Sequence, residues 1–79
     1  GTRVTLRFLE QLNEFLTDEG RAYVVVSSLQ DMGSIEEEMH RRSLVARKRG
    51  SERFDFETIS VLEIRRPPKE AGPGGVGAV

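Results

Sequence analysis

The stretch Gly20-Arg21-Ala22-Tyr23-Val24-Val25-Val26-Ser27-Ser28 decides how this chain folds. Ala22 to Val26 is an unbroken apolar run, and three of its five residues are β-branched. A strand wetted on one face alternates apolar and polar residues. A run without alternation predicts a strand covered on both faces, as in a parallel sheet. Ser27 and Ser28 end it.

Upstream, Val4, Phe8, Leu9, Leu12, Phe15 and Leu16 recur at steps of three and four. That spacing predicts an amphipathic helix over Thr2–Leu16, with Arg3, Arg7, Glu10, Asn13 and Glu14 on its polar side. Gly20 is expected to stop it by taking the left-handed conformation.

Downstream, Ser34-Ile35-Glu36-Glu37 fits a capping box that opens a short helix from Ile35 to Arg42. Glu36, Glu37 and Glu38 then fall in its first turn and Arg41 and Arg42 in its last, matching the macrodipole. Ile35, Met39 and Ser43 make the inner stripe. Leu44-Val45-Ala46 starts a second strand that runs into Arg47-Lys48-Arg49, and Gly50-Ser51 offers a turn. Thr58–Ile64 alternates, with Ile59, Val61 and Ile64 against Thr58, Ser60 and Glu63, and is expected to be the third strand. Pro67-Pro68 closes it, because proline cannot donate to a ladder.

The expected order is helix, strand, helix, strand, strand. The first two strands flank a helix and should form a right-handed parallel crossover. The connection between the last two is too short for another crossover, so they should pair antiparallel. Residues 67–79 hold little to bury and are expected to form a disordered Pro/Gly-rich tail outside the 1–66 α/β segment.

Composition narrows the function classes. A chain of 79 residues without cysteine has no disulfide or thiolate metal site to supplement a marginal core, and the single histidine, His40, argues against a histidine metal cluster. No apolar run approaches the ~20 residues of a membrane span, so a cytoplasmic protein without a membrane partner is expected. Twelve Lys+Arg against thirteen Asp+Glu give net charge −1, which disfavours a nucleic-acid partner.

Two helices and three strands cannot cover both faces and both edges of the Tyr23–Val26 strand. One edge stays open, and open apolar edges invite pairing. The expected partner is the N-terminal half of the same polypeptide, or a second copy, along that edge.

Phe8–Leu16, Asp18-Glu19-Gly20-Arg21 and Tyr23–Val26 resemble a segment of the Rossmann-like S-adenosylmethionine-dependent methyltransferases: amphipathic helix, glycine turn, valine-rich strand. A narrower resemblance is to the HemK-like release-factor glutamine methyltransferases of the eukaryotic and archaeal branch. Gly1-Thr2-Arg3-Val4 with Arg7-Phe8 is similar to that branch's entry into the helix, and Glu57-Thr58-Ile59-Ser60-Val61-Leu62 to its closing strand. The likeness spans residues 1–66. It implies a final strand inserted antiparallel into an otherwise parallel sheet. For the whole enzyme it implies S-adenosylmethionine as cofactor and a release-factor glutamine amide as methyl acceptor, with adenine N6 in nucleic acid or a non-enzymatic association module as alternatives.

The departures from the family pattern are substantial. Its Gly-rich cofactor loop, the acidic residue ending its second strand and its Asn-Pro-Pro-Tyr motif do not occur in this sequence, and Gly72, Gly74, Gly75 and Gly77 follow a Pro-Pro stop rather than lying between strand and helix. No catalytic, cofactor-binding or metal residue is therefore assigned, and the chain alone is expected to be inactive.

Several residues still have two readings. Ser27, Ser28 and Asp31 follow a strand's carboxyl end, where open α/β sheets bind ligands, but a polar loop into the next helix explains them as well. The Arg41–Arg53 cluster is either an RNA or acidic-partner contact or a solvated edge strand. Glu36, Glu37 and Glu38 point about 100° apart in succession and cannot converge on one substrate. His40 is expected on an exposed or boundary face, and Tyr23, Phe54 and Phe56 in packing.

Overall fold

The computed structural model describes residues 1–68, so the expected disorder of the tail lies outside the described residues from Lys69 onward. Helix α1 spans Thr2–Phe15, strand β1 Ala22–Ser27, helix α2 Met32–Arg41, strand β2 Val45–Arg53 and strand β3 Thr58–Arg65. The sheet order is β1-β3-β2, and β3 is antiparallel to both neighbours. It is a small α/β domain of two helices on a three-stranded antiparallel sheet. The expected β2–β3 hairpin is present. The expected parallel pairing of β1 with β2 is not: they run the same way, but β3 lies between them.

Both helices cover the same face of the sheet. Leu9 of α1, Ile35 and Met39 of α2 and Leu44 meet Val26, Leu62 and Ile64 in one core. α2 lies beside β2, and α1 packs against α2. The α1 hydroxyls of Thr2 and Thr5 accept hydrogen bonds from Asp31 N and Gln30 Nε2, just past β1. That places α1 toward the β1 side.

This layering corrects two expectations about faces. Ala22, Val24 and Val26 turn toward the helices, whereas Tyr23 and Val25 are 57% and 60% exposed on the opposite face. No helix among the described residues covers that face, so the valine run is buried on one side only. On β3 the residues turned to the helices are Ser60, Leu62 and Ile64, and Ile59 and Val61 share the open face with Glu63. Leu62 and Ile64 together outweigh the pair Ile59 and Val61 because the core lies at the Ile64 end.

The element boundaries follow local chemistry. α1 ends at Phe15 with Leu16 extended (φ −77°, ψ 120°), and Gly20 has no left-handed φ; a Cβ there would come within 2.8 Å of Thr17 Oγ1. Gly20 therefore serves a close approach and not a left-handed stop. Val4 and Phe15 of the expected apolar stripe stand exposed, and Thr5 is buried in their place.

α2 starts three residues before the expected box. Asp31 is the N-cap: its Oδ1 accepts from Ser34 N at 3.1 Å and its Oδ2 from Ser34 Oγ at 2.7 Å. The acidic trio accordingly falls beyond the first turn. At the other end Leu44 N donates to Met39 O at 2.8 Å and Ser43 N to His40 O at 3.1 Å, the two bonds of a Schellman cap. Ser43 occupies the left-handed position of that cap (φ 55°) and is not part of the inner stripe.

Gly50-Ser51 is not a turn. β2 continues through it, with a bulge between Lys48 and Gly50, and the reversal falls at Phe54–Glu57, where Phe54 N donates to Glu57 O at 2.7 Å. Among the described residues no helix is long and apolar enough to cross a membrane.

Candidate functional site

The carboxyl ends of β1 and β2 lie at one end of the molecule, because both strands run opposite to β3. Three of the residues the sequence singles out, Ser27, Ser28 and Asp31, gather there with the hairpin turn. Their polar atoms are already engaged. Ser28 N donates to Thr58 O and Thr58 N to Ser28 Oγ, both at 2.9 Å. Ser27 Oγ donates to Glu57 and accepts from Leu29 N, while Ser27 N donates to Gln30 Oε1 at 2.7 Å. Asp31 holds Ser34, and the two hydrogen bonds from the Ser34 hydroxyl and amide keep its carboxyl below the ordinary aspartate value. These contacts tie β1 to β3 and launch α2. They are the polar loop of the plainer reading.

Phe54 and Phe56 stand at the hairpin turn and are 52% and 88% exposed, and Leu29 nearby is 70% exposed. The expectation that Tyr23, Phe54 and Phe56 are packing residues is therefore corrected. Among the described residues neither ring belongs to the core cluster.

The Arg41–Arg53 cluster does not form one surface. Arg41 and Arg42 sit at the end of α2 and share Glu38, at 3.3 Å and 2.6 Å; that hydrogen bond raises the Arg42 pKa above its ordinary value. Strand alternation then divides the rest. Arg47 pairs in register with Glu63 on the open face, whereas Lys48 pairs with Leu62 and Arg53 with Thr58 on the helix side.

The bulge puts Arg49 on the open face, where its Nε lies 3.6 Å from Glu63 Oε1; Arg21 Nη1 is 3.0 Å from Glu63 Oε2. Glu63 is only 4% exposed, on a sheet face no helix covers. Its carboxylate is roofed by the stems of arginines reaching in from both neighbouring strands. Sequence reasoning missed this clamp. Its signal was the cross-strand register, which the misplaced Gly50 turn concealed.

A second feature the sequence did not announce is a groove of about 630 Å³ between α2 and the outer part of the sheet. Glu36 and His40 enter it from α2, Lys48 from β2, and Ser60 and Leu62 from β3. Glu37 points elsewhere and Glu38 is held by the arginines, so the acidic trio diverges as the helical spacing requires. His40 is exposed, as expected. Among the described residues no group of histidine, cysteine and acidic side chains is placed to hold a metal ion.

The outer edge of β1 has no strand partner among the described residues. Beside it Tyr23 and Val25 stand exposed on the open face. Unpaired strand edges beside exposed apolar side chains are prone to pairing with another chain. Comparison with protein-family models, with curated proteins and with solved structures finds no match to this chain.

Proposed function

We propose that this chain is the C-terminal α/β portion of an S-adenosylmethionine-dependent methyltransferase, whose whole enzyme methylates a glutamine side-chain amide of a translation release factor. The observation that carries the reading is the placement of β3, antiparallel, between two strands that run the same way. That insertion is what the resemblance of residues 1–66 implies for the end of such a sheet. Both helices on one face and the unpaired outer edge of β1 support it. A further strand, from the N-terminal half of the enzyme, would continue the sheet there and bring cover for Tyr23 and Val25.

The residues of this chain do not fit the cofactor. No glycine-rich loop joins a strand to a helix, and no Asn-Pro-Pro-Tyr is present. The polar atoms at the carboxyl end of β1 are spent on the loop. No step of methyl transfer is assigned to any residue here. The contribution of this part is architectural: it closes the sheet.

Calorimetry of the 79-residue chain with S-adenosylmethionine tests this division of labour. No binding heat is expected, and tight binding would overturn it. The coding sequence immediately upstream of Gly1 tests the family: a glycine-rich loop followed by Asn-Pro-Pro-Tyr is expected, and an unrelated reading frame contradicts it.

The exposure of Tyr23 and Val25 also favours a second reading, a non-enzymatic module that docks through the β1 edge onto a second copy. The two readings differ in stoichiometry. A discrete homodimer paired through Ala22–Ser27 supports the module.

A further inference from the structure

The groove beside α2 plays no part in the methyltransferase reading, and a ligand there would bind whether or not that reading holds. It exists because β2 runs out past the reach of α2, leaving every β2 residue exposed. Met39 and Leu62 give it an apolar lining, and both belong to the core. A groove of about 630 Å³ falls in the size range of small-molecule sites, which combine apolar walls with a few orienting polar groups.

Ser27 and Ser28 at one end of the groove are hydrogen-bonded, but four of its other polar side chains have no partner among the described residues. Ser60 is 8% exposed and lines the groove, yet its hydroxyl makes no hydrogen bond to any described residue. No fully buried polar side-chain atom among the described residues lacks a partner, so the Ser60 oxygen opens onto the groove, where a ligand can reach it. At the rim Glu36, His40 and Lys48 likewise have no side-chain hydrogen bond or ion pair among the described residues. Glu36 and Lys48 carry opposite charges on facing walls, α2 and β2, and do not bridge to each other.

We propose that this groove binds a small zwitterion with an aliphatic body. Its carboxylate lies toward Lys48 and its ammonium toward Glu36, its methylenes lie on Met39 and Leu62, and the Ser60 hydroxyl meets one polar end. An anion alone would meet the Glu36 charge uncompensated, and a cation alone the Lys48 charge. A ligand carrying both satisfies each.

The probe is 6-aminohexanoate, titrated into the ¹⁵N-labelled 79-residue chain, with hexanoate and hexylammonium as single-charge controls. Saturable shifts are expected at the amides of Glu36, Met39, Ser60 and Leu62. Each control should bind roughly tenfold more weakly, the loss of one charge-assisted hydrogen bond. Lys48→Ala should weaken 6-aminohexanoate about tenfold without weakening hexylammonium, and Glu36→Gln should weaken 6-aminohexanoate about tenfold without weakening hexanoate. Both side chains are exposed and unpaired, so these variants keep the fold. Ser60→Ala should weaken binding with little change in the urea midpoint, a combination a purely structural serine would not give. The proposal fails if no saturable shift develops by about 50 mM, if all three probes bind equally, or if Lys48→Ala leaves the titration unchanged.

Discussion

Ser43 is held at φ 55° by the cap that ends α2, a conformation in which a Cβ is strained and glycine is not. Ser43→Gly should therefore stabilise the chain by about 0.5–1 kcal/mol, read as a higher urea midpoint at unchanged slope; a loss of stability would mean the cap geometry is wrong. Asp31 makes a pH prediction at the opposite end of the same helix. Its folded pKa is lowered, first by the Ser34 hydroxyl and then by the Ser34 amide. The cap's contribution is thus fully present above the ordinary aspartate pKa and is lost as pH falls through the lowered folded value. Asp31→Asn, which keeps an acceptor without the charge, should flatten the acid side of the stability profile. None of this was legible by residue type. Ser34 with Glu37 satisfies the capping-box pattern as well as Asp31 with Ser34 satisfies a simple N-cap, and only the chain's path out of β1 selects the second.

Elements were more legible than their faces. The 3.6-residue spacing of α1, the valine run of β1 and the alternation of β3 each gave the right type of element, because those periods follow from backbone geometry alone. The phase of β3 did not follow, since Thr58-Ile59-Ser60-Val61 pairs a polar helix side with an apolar open side near the groove. The Gly50 turn failed for a related reason: glycine marks both turns and bulges. Its φ lies outside the left-handed region and nothing lies within 4 Å of a Cβ placed there. Gly50→Ala should consequently raise stability by about 0.4–1 kcal/mol by restricting the unfolded chain; a drop would restore the turn reading. The Glu63 clamp predicts non-additivity. Arg21 and Arg49 have side chains 61% and 50% exposed, so Arg21→Ala or Arg49→Ala alone should cost less than about 1 kcal/mol. Removing both withdraws the two ion pairs from a buried carboxylate, and the double variant should lose more than the sum of the singles in urea unfolding. Additive losses would show that the arginines do not share one carboxylate.

At the scale of the molecule, the sheet is asymmetric. One face carries two helices and a core, and the other shows Tyr23, Val25 and a single buried carboxylate under arginine stems. The two edges differ as well. β2 is exposed throughout, charged and bulged, which discourages pairing. β1 is regular and apolar, and among the described residues its outer backbone groups have no ladder. The candidate site inherits this asymmetry. Residues chosen from sequence at the carboxyl end of β1 proved to be loop fasteners, whereas the unpartnered polar groups collect under α2, from elements too distant in sequence for any motif to join them. A strand wet along one side is also what a self-sufficient two-layer unit would display, so the decisive question is what the β1 edge does in solution. Sedimentation velocity of the full 79-residue chain over a hundredfold concentration range answers it most directly. A β1 edge built to lie inside a larger sheet predicts a sedimentation coefficient that climbs with concentration, and a Val25→Pro substitution, which removes a backbone donor on the side away from β3, should suppress that climb. A sharp monomer at every concentration, unfolding in one cooperative step, would contradict the larger sheet and the methyltransferase proposal with it.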